Sequence, residues 1–170
     1  MVVTTAPVFE MNNEQVEKLL CDEIADLLHV ENMLIKALPK LVAGAFAPEL
    51  KALFENHFTE TRLHVKRLEK MFAVVELPAR EKKCEAMMGL LVECQHLLTR
   101  AKPSLVLDQA LICSARKVES FEIVAYQSVA AWAALSGYDR IRASALETVE
   151  GEQEMLRSLE GLVAGGKSSR

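Results

Sequence analysis

A glutamate stands in the middle of apolar helical stripes in this chain, where a leucine would ordinarily be expected. In the first long periodic segment the stripe reads Leu20, Ile24, Leu27, Glu31, Leu34, Leu38, alternating steps of four and three. In the last it reads Ile141, Ala145, Val149, Glu152, Leu156, Leu159, again with the acid near mid-length. Between them, Ala115, Glu119, Glu122, Tyr126 and Val129 share one helical face, so two carboxylates lie one turn apart among small or apolar residues. A chain with this pattern folds only where several acids are accommodated together inside a helical core.

Breakers divide the sequence into helices expected over about 13–40, 48–75, 80–102, 104–136 and 139–163. Pro39 sits near the expected end of the first, with Gly44 beyond it, Pro48 precedes the second and Pro103 stops the third, while Gly137 suits the position after the fourth. Seven glycines, five prolines and 5% aromatic residues are too few for the turn-rich alternation of an all-β fold. The expected organisation is a flexible N-terminus over 1–12, one helical domain over 13–163 and a flexible tail over 164–170. Two short hairpins joined by a long crossover that holds a helix of its own is ferritin-like connectivity. The fold class is therefore all-α, a ferritin-like antiparallel four-helix bundle with an additional crossover helix.

The charge balance, 24 acidic against 20 basic residues without a basic stripe, argues against nucleic-acid binding. The longest uncharged run is the sixteen residues between Glu122 and Asp139, too short for a membrane span. The first fifteen residues lack the basic and apolar regions of a secretory signal, so the expected location is cytoplasmic. Cys21, Cys84, Cys94 and Cys113 form no metal-binding or redox pair and read as reduced thiols.

On the second helix His57, Glu60 and His64 share a face, with the histidines closer to the apolar centre and Glu60 at its edge. Glu31, Glu60, Glu119 and Glu152 all fall within about one turn of their helix midpoints, so the polar residues form one layer. Five carboxylates buried together would repel one another and resist ionisation unless cations compensate. Hard oxygen donors with imidazole suit two ions of iron or manganese per chain, with Glu31, Glu60, Glu119, Glu122 and Glu152 and one or both of His57 and His64 as metal ligands. Tyr126, one turn beyond Glu122, either bonds a ligand carboxylate or fills the core. His29 and His96 read as structural or solvated.

The segments DLLHVENMLIKALPKL, APELKALFENHFTETRLHVKRLEKMF, KKCEAMMGLL, ARKVESFEIVAYQSVAAWA and LETVEGEQEML resemble, in order, the YciE/YciF-type family of bacterial ferritin-like proteins. The resemblance covers residues 17 to 162. It implies a ferritin-like bundle, a homodimer, a di-metal site and an association with stress responses. By position it carries the family's D-L-Y-x-A-E acid to Glu31, its H-x-x-E-T pair to His57 and Glu60, its V-E-x-Y-E acids to Glu119 and Glu122, and its last-helix acid to Glu152. Ser120 stands where a histidine is common and Leu156 where an acid often follows, departures that would thin one metal position. The functional expectation is a di-metal carboxylate protein that reacts with a small oxidant such as oxygen or peroxide. The alternative is a non-catalytic interaction or structural bundle with a vestigial site, and iron storage is a weaker third reading.

Overall fold

The computed structural model describes residues 12–165, with side chains to residue 163. The segments expected to be flexible, 1–12 and 164–170, lie almost wholly outside that range. Among the described residues five helices follow in order: α1 Asn13–Gly44, α2 Pro48–Val74, α3 Glu85–Arg100, α4 Leu105–Leu135 and α5 Asp139–Gly165.

Local chemistry sets most of these boundaries. The Asn12 side chain accepts the Glu14 N–H at 2.9 Å and opens α1, one residue before the expected cap. Ser104 Oγ accepts the Leu107 N–H at 3.2 Å and opens α4. Gly137, at φ +76°, closes α4 with the left-handed residue that a helix stop favours. Glu76 occupies the same region, at φ +56°, at the end of α2.

Two expectations need correction. α1 does not stop near Lys40 but runs through Pro39 to Gly44. Proline removes one backbone donor, and the final turn is retained because Leu38, Leu41 and Ala45 are buried there. The crossover helix begins at Glu85, not near Arg80. Residues 77–84 are non-helical because they strap the end of α2 to α1: the Lys82 N–H donates to the Ala25 carbonyl at 2.9 Å, Arg80 pairs with Asp22 at 2.6 Å, and Glu81 accepts from Asn32 at 2.9 Å.

α1 packs on α2 and α4, and α5 packs on α4 and α2, giving a four-helix ring in which α1 and α5 lie across a diagonal. α2 and α4 run the same way, so the chain must return along the bundle between them. α3 makes that return in the groove between α1 and α4, burying Met87 and Cys94. Leu98 of α3 fills the space that a side chain at Gly44 would occupy. The architecture is the ferritin-like bundle with a crossover helix.

The interior divides into two apolar cores. One gathers Leu34, Leu38, Leu50, Phe54, Leu111, Ala115, Met155 and Leu159; the other Leu20, Ile24, Leu27, Leu68, Met71, Val129, Ala145 and Val149. Glu31, His57, His64, Glu119, Glu122 and Glu152 are buried between them. The four cysteines are free thiols, three buried and Cys113 exposed. Among the described residues, no helix is long and apolar enough to cross a membrane.

Candidate metal centre

Each helix of the ring contributes to the polar layer. α1 supplies Glu31, α2 supplies His57 and His64, α4 supplies Glu119 and Glu122, and α5 supplies Glu152. The two histidines are seven residues apart, so they face inward two turns apart, separated by about 10 Å along α2. That spacing divides the layer into two overlapping groups. His57, Glu119, Glu122 and Glu152 each offer an atom within 4.8 Å of the others, and so do Glu31, His64 and Glu152.

Glu152 belongs to both groups. Its Oε1 lies 3.0 Å from His64 Nδ1 and its Oε2 lies 3.9 Å from His57 Nδ1. His57 Nε2 is 3.4 Å from Glu119 Oε1, and His64 Nδ1 is 3.4 Å from Glu31 Oε1. Tyr126 resolves to a polar role: its hydroxyl donates to Glu31 Oε1 at 2.5 Å, and its ring stands edge-on to His64.

Glu60 is the sequence-derived candidate that the fold does not bring into the buried layer. Its side chain is 54% exposed, with Oε2 3.8 Å from His57 Nδ1. The layer therefore holds four buried carboxylates where five were expected. The resemblance-based concern over Ser120 does not bear on the layer either, because that residue is exposed and its hydroxyl donates to the Arg116 carbonyl at 2.7 Å. Leu156 is partly buried beside the layer.

The electrostatics show how costly this arrangement is without cations. Burial pushes the carboxyl groups of Glu119 and Glu122 well above the usual range; the charge of Glu152 adds to the effect, while His57 partly offsets it for Glu119. Burial works against a protonated His57, but Glu119 foremost, followed by Glu60, Glu152 and Glu31, holds that imidazole up at about 9. Burial is likewise opposed at His64 by Glu152 and Glu31, which hold it at about 10. For Glu152 the desolvation is outweighed by His64 and His57, which hold its carboxyl below the ordinary value. Burial and the neighbouring Glu31 raise the Tyr126 phenol, so it remains a donor.

Hydrogen bonding leaves the same residues incomplete. Glu31 Oε2, both nitrogens of His57, His64 Nδ1, Glu119 Oε2, and both oxygens of Glu122 and of Glu152 are buried without a hydrogen-bond partner among the described residues. Such atoms are rare in a folded interior unless an ion, a ligand or an ordered water completes them. Four carboxylates also match the charge of two divalent cations, and oxygen donors with imidazole match iron or manganese. The donor set fits a pair of such ions.

Asp108 was missed at the sequence level. It is buried in the first turn of α4, where Oδ1 accepts the Phe46 N–H at 2.7 Å and Oδ2 the Ala47 N–H at 2.8 Å, clamping the α1–α2 turn. A lone acid near a helix start reads as an ordinary first-turn residue, and only the position of the facing turn reveals the clamp.

The DUF892 profile, described as a domain of unknown function, matches residues 15–170. YciF of Escherichia coli K12 is 31% identical over 144 residues, covering 84% of this chain and 87% of that protein. The crystal structure of YciF, called an E. coli stress protein, superposes with a TM-score of 0.83 at 30% identity, covering 86% of this chain and 93% of the other. YcfI of Rhodopseudomonas palustris, for which a structural role has been suggested, also gives a TM-score of 0.83, at 27% identity and covering 90% and 98%. The chain therefore belongs to the YciF-type DUF892 family.

Proposed function

We propose that this chain is a dinuclear carboxylate protein that binds two iron or manganese ions and reacts with a small oxidant, oxygen or peroxide. The observation that carries the reading is the set of unpartnered ligand atoms contributed by Glu31, His57, His64, Glu119, Glu122 and Glu152 in one buried layer. His57, Glu119, Glu122 and Glu152 would hold one ion; Glu31, His64 and Glu152 would hold the other, with Glu152 common to both. Bound iron or manganese would supply the electrons for reduction of the oxidant.

The protein's own groups prepare the site. Tyr126 fixes Glu31 through one oxygen and leaves the other free to bind. The apolar cores on either side exclude water, which strengthens every charge interaction within the layer. The E. coli relative's description as a stress protein fits the disposal of oxidant or of reactive metal.

Metal analysis of protein from iron- and manganese-supplemented cells tests the reading. About two ions per chain are expected, as the two ligand groups imply, with loss of both in the Glu31→Gln, Glu152→Gln double variant. Chelation should lower the melting temperature of the parent protein and leave that of the variant unchanged. Protein free of metal from every preparation would leave the structural-bundle reading ahead.

A further inference from the structure

A buried pair of ions needs a way in, and the four seams of the bundle are not alike. α3 covers the side formed by α1 and α4, whereas α2 and α5 pack least closely of the four neighbouring pairs and, among the described residues, carry no covering helix. Arg67 of α2 reaches across that seam to Glu147 and Thr148 of α5. At about 100° per residue, Glu60 lies on the same flank of α2 as Arg67, two turns away. Gly151 lies on the same flank of α5 as Glu147 and Thr148, and a methyl group there would meet no other described residue within 4 Å beyond its chain neighbours and its own helix backbone.

Among the described residues, Glu60 is the one exposed carboxylate within ion-pairing distance of a layer histidine. His57 Nδ1 stands between two acids, 3.8 Å from exposed Glu60 and 3.9 Å from buried Glu152. That nitrogen has no hydrogen-bond partner, and neither has the facing Glu152 Oε2. A negative group at solvent, an unpartnered imidazole nitrogen and the shared buried carboxylate thus form a continuous line of donors from the surface inward.

We infer that Glu60 is the uptake residue for the layer, capturing a hydrated divalent cation at the α2–α5 seam and passing it by His57 to Glu152. The inference rests on the di-metal reading and adds a route to it. Glu60 acts on the rate of loading, not as a resident ligand. Its carboxylate raises the local cation concentration at the mouth, and the space beside Gly151 gives the ion room to shed water.

Cobalt(II) added to the chelator-stripped full-length protein is the probe, followed by stopped-flow absorbance of the bound ion and by equilibrium titration. Glu60→Gln is expected to slow loading by about tenfold, and Glu60→Lys by more, as charge steering at a mouth predicts. Release should slow in parallel, so that the dissociation constant and the amount bound stay at the parent values. Glu69→Gln, which removes an exposed acid of α2 away from the layer, should load at the parent rate. Unchanged loading in Glu60→Gln overturns the inference, and so does a lost ion or weakened equilibrium binding, which would make Glu60 a resident ligand. Gly151→Leu narrows the seam without touching a donor and should also slow loading; an unchanged rate there overturns the seam as the route. Failure of the parent protein to bind cobalt would overturn the di-metal reading itself, and the inference with it.

Discussion

The Tyr126 hydroxyl donates to Glu31 Oε1 at 2.5 Å, joining residues 95 positions apart in the sequence and on facing helices. Both side chains are fully buried. The bond satisfies one oxygen of Glu31 and turns the other into the layer, where it has no partner. His64 lies beside the pair, with its ring 6.1 Å from that of Tyr126. One half of the candidate metal centre is therefore oriented by a group that would not itself touch metal.

Tyr126→Phe keeps the ring and removes the donor. The stripped protein should lose about 1–3 kcal/mol, because a buried acceptor is left without its bond. Metal affinity should fall by about 10-fold or more, the usual consequence of removing a group that orients a ligand. Urea melts and cobalt titration measure the two effects. A variant that matches the parent in both would show that the apolar surroundings alone hold Glu31 in place.

The pH dependence of the metal-free protein follows from the raised groups. His57 at about 9 and His64 at about 10 keep protons that an unfolded imidazole loses near 6.5. Their stabilisation is fully present below about pH 6.5 and disappears as pH climbs through those folded values. Burial raises Glu122 too, so it also retains a proton that the unfolded chain has released. His57 and Glu119 each depend on the other's charge, so that pair counts as one retained proton. All of these act with one sign. Each such proton makes stability fall by about 1.4 kcal/mol per pH unit while only the folded state holds it. Melts of stripped protein from pH 6 to pH 9 should therefore show steadily declining stability. Metal binding displaces the same protons, so cobalt should bind more tightly as pH rises across that range. Stability that increased with pH in the stripped protein would contradict the proposed charge arrangement.

The helices and the four buried glutamates were legible because their signals are local. A 3.6-residue period with an acid inside the stripe is complete within one helix, and Glu31, Glu119, Glu122 and Glu152 are all buried as it implies. Glu60 sits at the stripe edge, where burial depends on how closely the neighbouring helix approaches. No pattern within α2 reports the spacing of the α2–α5 seam. The start of α3 was misplaced for a similar reason: Arg80, Glu81 and Lys82 are used in contacts with Asp22, Asn32 and Ala25 of α1. The helical periodicity of the segment carries no record of those partners. Pro39 illustrates a tertiary override in the other direction, with buried neighbours retaining a turn that local propensity would end.

Asp108 provides a test of the fold that leaves the polar layer intact. Its two oxygens accept the N–H groups of Phe46 and Ala47, joining the α1–α2 turn to the first turn of α4. The carboxylate also faces the positive end of α4, where negative charge is favoured. Asp108→Asn preserves size but leaves one acceptor oxygen and turns an amide donor toward a backbone donor. The expected cost is about 2–3 kcal/mol, the range for a lost bond to a charged group plus an unsatisfied buried N–H. In a domain of this size, that corresponds to a fall in melting temperature of roughly 5–10 °C. Glu119 lies eleven residues further along α4, about 16 Å away, so cobalt stoichiometry should stay at the parent value. Calorimetry and cobalt titration on the same preparation separate the two effects. A parent-like melt would show that the turn is held by the packing of buried Ala45 and Leu50, and loss of cobalt binding would show that the clamp also sets the register of α4 against α1.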